Sequence, residues 1–336
     1  MKLHLRAAAF GAACLTAAPA IAQSVEDFYK GKTVHVLIGV GAGGDYDEQG
    51  RLAARFLGRY IPGNPSVIAE NMVGAGGLNM TNYLYNIAPK DGTYIGIISN
   101  NFPALQLVEG RGVQFDANKF HWLGALTQET NTMAVWKTTG VKTVEDAKRT
   151  EVIAGASGRG AITYTFPAFM NELIGTKFKI VTGYQGGNDI NLAMERGEVG
   201  ARMNSWASWN VTKPDWVKNG NIVVIAQGGR RHPDLASVPS VEDLGRTEND
   251  RAVIKVLMLS AYLGRPVTAP PGVPAERIEA LRNAFAAVAK DKDLLNEAAT
   301  TRTQIEPVSG PDMQKLISGV LATPKDLAAR AKEFLE

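Results

Sequence analysis

The sequence predicts an α/β fold with mostly parallel sheets arranged as two lobes. Short apolar runs typical of strands alternate with amphipathic segments typical of helices along the chain. Glycine-rich turns follow strand-like runs in the first half, at residues 39–44 and 74–77, and again in the second half, at residues 155–160 and 186–187. This recurrence of turns predicts two α/β lobes that face each other across a cleft.

The individual elements follow from these two patterns. The apolar runs that predict strands are residues 33–40, 66–71, 94–99, 122–126, 132–136, 152–156, 179–184, 199–204, 222–226 and 262–267. The amphipathic segments that predict helices are residues 47–60, 77–87, 144–149, 161–174, 189–196, 274–289, 292–299 and 311–321. No repeat or low-complexity linker marks a domain boundary.

The N-terminus has the pattern of a secretory signal peptide. Lys2 and Arg6 precede an apolar stretch at residues 7–18, and Ala20-Ile21-Ala22 supplies a small-x-small cleavage site. We therefore expect residues 1–22 to be removed on export. The stretch is too short for a permanent membrane span, and later apolar stretches are shorter than a span requires.

Cys14, the chain's single cysteine, lies in this leader, so disulfides, thiolate zinc sites and cysteine catalysis are excluded for the mature chain. A lipoprotein signal is disfavoured because residues 11–13 lack the bulky residue that such a box begins with. The formal net charge of +3 falls to about +1 without Lys2 and Arg6, and nothing in the charge pattern indicates nucleic acid.

The glycine turns predict an anion-binding site. Where a strand turns into a helix at glycines, unpaired backbone N–H groups point outward at the positive end of the helix dipole. Such groups bind anions without a charged side chain.

Two enzyme interpretations compete with a binding role. Gly39, Gly41 and Gly44 satisfy the dinucleotide pattern G-x-G-x-x-G, and Glu70 lies near the place of a ribose-binding acid. An exported protein, however, has no access to free nicotinamide cofactors. A hydrolase would need G-x-S-x-G around Ser157, but Arg159 stands where the second glycine belongs.

The mature histidines do not favour catalysis either. His35 lies inside a strand, His232 precedes Pro233 in a turn, and neither they nor His121 are placed by the sequence beside a serine. We therefore expect no catalytic residue, no metal site and no cofactor.

Three motifs in order carry a family resemblance: Gly43-Gly44-x-x-Asp47-x-x-x-Arg51, Glu70-Asn71-x-x-Gly74-Ala75-Gly76-Gly77 and Ala88-Pro89-x-Asp91-Gly92-Thr93-Tyr94. Later matches are Gly155-x-Ser157-Gly158-x-Gly160, Tyr184-x-Gly186-Gly187 and Pro270-Pro271-Gly272-Val273-Pro274. With these motifs the whole mature chain resembles the extracytoplasmic solute receptors of tripartite tricarboxylate transporters, the Bug or TctC-like family.

The resemblance implies a periplasmic binding protein of type II-like fold that closes on a small carboxylate, such as a di- or tricarboxylate, an aromatic acid or an amino acid. It implies a monomer that presents this ligand to membrane permease subunits, although a sensor without transport remains an alternative. Crossings between lobes are expected near residues 124–127 and 226–229. Lobe 1 would then combine residues 23–125 with 227–336, and lobe 2 would be residues 126–226.

The resemblance and the free amides together predict the ligand contacts. Backbone groups from both lobes are expected to hold one carboxylate, at Gly43, Gly44, Asp45, Ala75, Gly76, Ser157, Gly158, Gly160 and Ala161. Side chains expected to set specificity are Tyr46, Asn100, Arg159, Tyr184 and Asn204.

Some nearby residues have two interpretations. Arg159 is either a clamp for a second carboxylate or a solvated loop residue. Phe102 and Trp206 either close the pocket or pack within a lobe. Asp47 and Arg51, four apart at a helix start, are interpreted as a framework ion pair.

Overall fold

The computed structural model describes residues 23–42, 45–108, 110–158, 161–184, 187–300 and 304–335. The predicted leader, residues 1–22, lies outside the described residues, so cleavage and export stay predictions. Within the described part of the chain, no helix combines the length and hydropathy that a membrane span requires.

Strands and helices alternate as the sequence patterns predict. The strands are β1 Thr33–Ile38, β2 Ser66–Asn71, β3 Tyr94–Ile97, β4 His121–Ala125, β5 Thr130–Trp136, β6 Val152–Gly155, β7 Phe178–Val181, β8 Ala201–Ser205, β9 Ile222–Gly229, β10 Val267–Ala269 and β11 Val308–Ser309. The helices are α1 Val25–Tyr29, α2 Asp45–Leu57, α3 Leu78–Asn86, α4 Phe102–Leu107, α5 Val144–Arg149, α6 Ile162–Phe169, α7 Gly187–Glu195, α8 Trp206–Thr212, α9 Pro214–Lys218, α10 Val241–Leu244, α11 Glu248–Leu263, α12 Ala275–Val288, α13 Lys292–Thr300, α14 Gly310–Leu321 and α15 Lys325–Leu335.

The strands form two separate sheets, one in each lobe. The first has the order β11-β4-β10-β3-β1-β2 and the second the order β7-β6-β8-β5-β9. This confirms the prediction of a two-lobed α/β fold. The expectation of mostly parallel pairing is corrected, because β5, β10 and β11 run antiparallel to their neighbours and make both sheets mixed.

Strand β1 shows why its run of apolar residues forms a strand. Val34, Val36 and Ile38 pack with α2 and α12 on one face, while Leu37 packs into a second buried cluster on the other. A strand covered on both faces carries apolar residues nearly without interruption. Burial of both faces therefore fixes the register of β1 between β2 and β3.

Helix α11 was not predicted, and it replaces a predicted strand. It begins at a capping box formed by Thr247 and Asp250 and continues to Leu263, so Tyr262 and Leu263 are helical and only Val267 of the predicted strand 262–267 lies in β10. Eight apolar residues on several faces of α11 are buried. The resulting lack of helical periodicity explains why the sequence pattern indicated a strand.

Helices α11 and α15 lie against the second sheet. Val253 and Leu257 of α11 and Leu327 and Ala331 of α15 belong to the same buried cluster as Met133 of β5. Parts of residues 227–336 therefore contact the second sheet as well as the first. The division into lobes at residues 125–126 and 226–227 stays a prediction.

The contact between the first two glycine turns generates a stability prediction. A Cβ atom at Gly39 would lie 2.8 Å from the Cα atom of Gly77, which is a backbone atom and cannot rotate away. We expect Gly39→Ala to lower the free energy of unfolding by about 1–3 kcal/mol, as overpacking does. Urea denaturation measures this change.

Gly41→Ala is the matched control for this substitution. A Cβ at Gly41 meets none of the described atoms within 4 Å. We expect Gly41→Ala either to leave the free energy of unfolding unchanged or to raise it by about 0.4–1 kcal/mol, because alanine lowers the entropy of the unfolded chain. Equal effects of the two substitutions would contradict the close approach of the turns.

A second prediction concerns acid stability. Asp250 accepts a hydrogen bond from the Thr247 N–H and pairs with Arg330 of α15 at 2.8 Å. Burial alone would raise the pKa of Asp250, but the hydrogen bonds from Thr247 and Arg330 outweigh it and hold the pKa below its ordinary value. Folding then favours the charged form, so this contribution is present above the unfolded pKa and is lost as pH falls through the folded pKa.

We therefore expect Asp250→Asn to destabilise the protein at pH 7 and the difference from wild type to shrink as pH falls below about 3.9, where unfolded Asp titrates, towards the lower folded pKa. Urea unfolding of wild type and Asp250→Asn, measured from pH 7 down to the acid limit, tests this expectation. Asp326→Asn is the control, because it changes an exposed acid in α15, the helix that carries Arg330. A constant difference between wild type and Asp250→Asn down to the acid limit would refute the assignment.

Candidate functional site

The carboxyl ends of most strands lie at facing edges of the two sheets. Strands β3 and β4 both pair antiparallel with β10, so β4 runs in the same direction as β1, β2 and β3. Strands β8 and β9 both pair antiparallel with β5, and β6 and β7 run parallel with β8. Residues 126–129 connect the end of β4 to the start of β5. Four intervening residues make five Cα–Cα steps and span at most about 18 Å, so the end of β4 and the start of β5 lie close together.

Hydrogen bonds to Ala261, Arg265 and Glu306 hold this connection. The N–H of Glu129 donates to the carbonyl of Ala261 at 2.9 Å, and the N–H of Glu306 donates to the carbonyl of Leu126 at 2.8 Å. The guanidinium of Arg265 donates to the carboxylate of Glu129 at 2.8 Å. These hydrogen bonds anchor both ends of the connection at residues 126–129.

The turn after β2 presents backbone N–H groups at this edge. Ala75, Gly76 and Gly77 all have positive φ angles, and they form a single 3-10 turn in front of α3. Ala75 and Gly76 are exposed, and as the first residues of the turn their N–H groups have no intrahelical acceptor. This is the amide arrangement that the sequence predicts for a carboxylate.

The turn after β1 leads into α2, which begins at Asp45, whereas Gly43 and Gly44 lie outside the described residues. The framework interpretation of the nearby pair is confirmed, because Arg51 Nε lies 3.0 Å from Asp47 Oδ2. Asn71 joins this pair to the turn by donating to Asp47 at 2.7 Å and to the carbonyl of Val40 at 2.9 Å. The polar network therefore ties the start of α2 to the end of β2.

Tyr46 and Asn100 contact each other at the edge of the first sheet. The hydroxyl of Tyr46 accepts the N–H of Asn100 at 3.0 Å, and the Asn100 side chain donates to the carbonyl of Ser260 at 2.9 Å. The guanidinium of Arg265 lies over the Tyr46 ring, 4.8 Å from its centroid. Burial raises the pKa of Tyr46, with Arg265 opposing it. Both predicted residues are thus held in place by first-lobe contacts.

The turn after β6 is less open than predicted. The N–H of Ser157 donates to Thr163 Oγ1 at 3.2 Å, and the N–H of Ala161 donates to the carbonyl of Gly158 at 3.1 Å. These two amides are therefore engaged within the loop, contrary to the expectation that they are free. Arg159 and Gly160 lie outside the described residues. Ligand contact by this turn stays a prediction.

Tyr184 and Asn204 lie on the same side of the second sheet. A side chain at Gly155 would meet the Tyr184 ring at 3.4 Å, so Tyr184 covers the end of β6. The backbone carbonyl of Asn204 accepts a hydrogen bond from Thr132 at 2.7 Å. Asn204 is 8% exposed, and its Nδ2 atom has no hydrogen-bond partner among the described residues.

Arg202 is a candidate that the sequence analysis missed. It is 6% exposed, and its Nη1 atom donates to the carbonyl of Gly187 at 2.9 Å. It stands two residues before Asn204, so both side chains project from the same face of β8. The signal for it was an arginine between apolar Ala201 and Met203 in a predicted buried strand.

A cavity of about 200 Å³ lies between the lobes at the connection 126–129. Gln49 and Arg265 line it from the first lobe, and Ser205 and Trp206 line it from the second. Of the two aromatic residues with open interpretations, Trp206 lines this cavity and donates to Asp234 at 3.3 Å, while Phe102 is buried in the first lobe. Trp206 therefore faces the space between the lobes.

The acid and two of the histidines considered in the enzyme interpretations make contacts within the first lobe. Glu70, the acid of the dinucleotide interpretation, bonds His35 Nδ1 at 3.0 Å on the outer strand β2. The His35 ring stacks on Tyr94 at 4.4 Å. Burial, with the Arg282 charge, lowers the pKa of His121. No group of three His, Cys, Asp or Glu able to hold a metal occurs within the described ranges.

Comparison with known proteins identifies the fold. Neither the protein-family models nor the sequences of curated proteins match the chain. Among solved structures, a TctC solute-binding protein from Polaromonas is 17% identical with a TM-score of 0.71, covering 90% of this chain and 99% of that one. An R. palustris protein with adipate is 20% identical with a TM-score of 0.56, covering 90% and 97%. The malate-bound MatC of Rhodopseudomonas palustris is 17% identical with a TM-score of 0.53, covering 91% and 99%.

At these identities the comparison shows a shared fold. The chain therefore has the two-lobed fold of TctC and Bug solute-binding proteins, as the resemblance implies.

The Tyr46–Asn100 contact generates a prediction for this edge of the site. Tyr46→Phe removes the acceptor of the half-buried Asn100 N–H, so we expect a loss of about 1–2 kcal/mol in the free energy of unfolding. Tyr85→Phe is the control, since its hydroxyl makes no hydrogen bond within the described part of the chain. Equal stabilities of the two variants in urea would contradict the Tyr46 contact.

Proposed function

We propose that the protein is an extracytoplasmic solute-binding receptor that captures a small carboxylate for a tripartite tricarboxylate-type transporter. In this role it is periplasmic, monomeric and non-catalytic, and membrane permease subunits receive its ligand. It belongs to the Bug or TctC-like family on this proposal.

The facing strand ends carry the proposal. The connection at residues 126–129 brings the carboxyl ends of β1, β2 and β3 opposite those of β6, β7 and β8. In open α/β sheets, ligands bind outside the carboxyl ends of the strands. A guest between these edges touches both lobes at once.

The turn amides favour a carboxylate as this guest. Ala75 and Gly76 offer exposed N–H groups beside α3, and charge-assisted hydrogen bonds contribute about 1.5–3 kcal/mol each. A few such bonds from two lobes reach the binding free energy of roughly −8 kcal/mol that corresponds to a micromolar Kd. The fold neighbours bound to adipate and malate are consistent with this ligand class.

Closure of the lobes completes the capture. The lobe of residues 23–125 plus 227–336 and the lobe of residues 126–226 would rotate about the connections and remove the ligand charge from water.

A ligand-binding panel tests the proposed function. Calorimetric titration and thermal shift on residues 23–336 compare mono-, di- and tricarboxylates, amino acids and nicotinamide nucleotides. We expect a carboxylate to bind and, at a hundred times its Kd, to stabilise the fold by about 2.7 kcal/mol. The methyl esters of the binding acids are the matched controls and should not bind, because they lack the negative charge.

Each other outcome has a defined meaning. Binding of a nucleotide but of no acid would contradict the proposed receptor and favour the dinucleotide interpretation of the Gly39–Gly44 turn. Equal binding of an acid and its ester would show that the backbone amides do not bind a charged carboxylate.

A further inference from the structure

A second cavity, of about 840 Å³, lies beside the first sheet between α12, β4 and the start of α14. It shares no lining residue with the cavity at residues 126–129. Its lining residues on α12 run from Ala275 to Ala286, a length of about 16 Å at the helical rise. The apolar side chains that line it are Leu123, Val273, Ile278, Phe285, Ala286 and Val308. The cavity is therefore elongated, largely apolar and of the size of small-molecule sites.

Arg282 of α12 holds a fixed position in the wall of this cavity. Its Nε atom donates to the backbone carbonyl of Trp122 in β4 at 2.9 Å. Gly310, the first residue of α14, packs so closely on the same carbonyl oxygen that a Cβ atom there would overlap it. The guanidinium therefore lies beside the amino end of α14, and both Arg282 and Gly310 line the cavity.

The charge of Arg282 is not compensated by the protein around it. Its terminal nitrogens make no hydrogen bond, and no carboxylate lies within 4 Å of them, among the residues that the structure describes. Burial lowers the pKa of its guanidinium, which nevertheless stays protonated at neutral pH. The amino end of α14 beside it adds a partial positive charge. This part of the cavity wall is thus positive and offers donors without acceptors.

The other ionisable groups of the cavity do not change this balance. Burial and the nearby charge of Arg282 lower the pKa of His121, so its ring is neutral at pH 7. Glu279, Lys290 and Asp312 are exposed, where solvent and salt screen their charges. Asp312 already accepts a hydrogen bond at 2.6 Å from the serine that caps α14. The half-buried charge in the wall is therefore the guanidinium of Arg282.

We propose that this cavity binds an amphipathic carboxylate, an acid with an unbranched hydrocarbon tail, at a site separate from the cleft between the lobes. The carboxylate would accept hydrogen bonds from the terminal nitrogens of Arg282, which supply two donors in a fixed fork. The tail would lie along α12 and remove its apolar side chains from water. The inference does not rest on the proposed function, because it uses none of the groups that line the cleft.

A series of acids of increasing length tests the site. Calorimetry compares acetate, hexanoate, octanoate and decanoate, each below the concentration at which it aggregates, with 1-octanol as the uncharged partner of octanoate. From hexanoate to decanoate we expect the affinity to rise about fourfold for each methylene that is buried. Octanoate should bind about ten- to a hundredfold more tightly than 1-octanol, the ordinary effect of one charge-assisted hydrogen bond.

Three variants locate the bound acid. Arg282→Met should lower the affinity for octanoate to that for 1-octanol and leave the affinity for 1-octanol unchanged. Ala286→Trp fills the apolar part of the cavity from an exposed position on α12, so it should weaken both ligands at least tenfold. Lys292→Met is the matched control, because it removes an exposed cation of α13 that does not line the cavity, and it should change neither affinity.

The outcomes separate this site from the receptor site. Absence of octanoate binding, an affinity that does not rise with chain length, or unchanged octanoate binding in Ala286→Trp would each overturn the inference. A short carboxylate that binds in the cleft should keep its affinity in Arg282→Met and Ala286→Trp, and a parallel loss would show that the sites are not separate. Should Arg282→Met not fold, Ala286→Trp still decides, since it leaves the bond from Arg282 to Trp122 in place.

Discussion

The short connection between β4 and β5 is the constraint on which the rest of the site depends. Four intervening residues cannot separate the end of β4 from the start of β5 by more than about 18 Å, and hydrogen bonds to Ala261, Arg265 and Glu306 hold the connection. Gly264, at the end of α11, approaches Thr127 so closely that a Cβ atom there would lie 1.6 Å from the Thr127 carbonyl oxygen. Because the strands on either side end at this connection, their turns face a common space. On the proposed function, the fold therefore positions the backbone groups that bind the carboxylate.

The two lobes differ in the polar groups that the structure leaves without partners. The first supplies exposed backbone amides at Ala75 and Gly76, whose positive φ angles aim successive N–H groups outward. In the second lobe, Arg202 and Asn204 are buried on one face of β8, and each has one nitrogen without a hydrogen-bond partner among the described residues. Backbone amides bind a carboxylate of any acid, because they recognise its charge and not the rest of the ligand.

The sequence predicted most of the fold because burial leaves a local pattern. The bounds of α5 were predicted to the residue, and those of α3, α12 and α14 to within one residue, since their apolar residues recur at helical spacing. Helix α11 was missed because it is buried on several faces and its apolar residues show no helical spacing.

The site was harder to predict. The amide of Ser157 was expected to be free, but Thr163 accepts from it, and one-dimensional spacing does not show such a contact. The sequence analysis did not single out Arg202, because spacing along the chain does not show that one of its buried nitrogens lacks a hydrogen-bond partner.

A distance measurement between the lobes tests the central claim most directly. Ile68 of β2 and Val211 of α8 are exposed residues of opposite lobes, and the single native cysteine lies in the predicted leader, so Ile68→Cys with Val211→Cys gives two unique spin-label sites on residues 23–336. Pulsed electron paramagnetic resonance should show a shorter and narrower distance distribution when a carboxylate that binds by calorimetry is saturating. An identical distribution with and without that ligand would contradict capture between the facing strand ends.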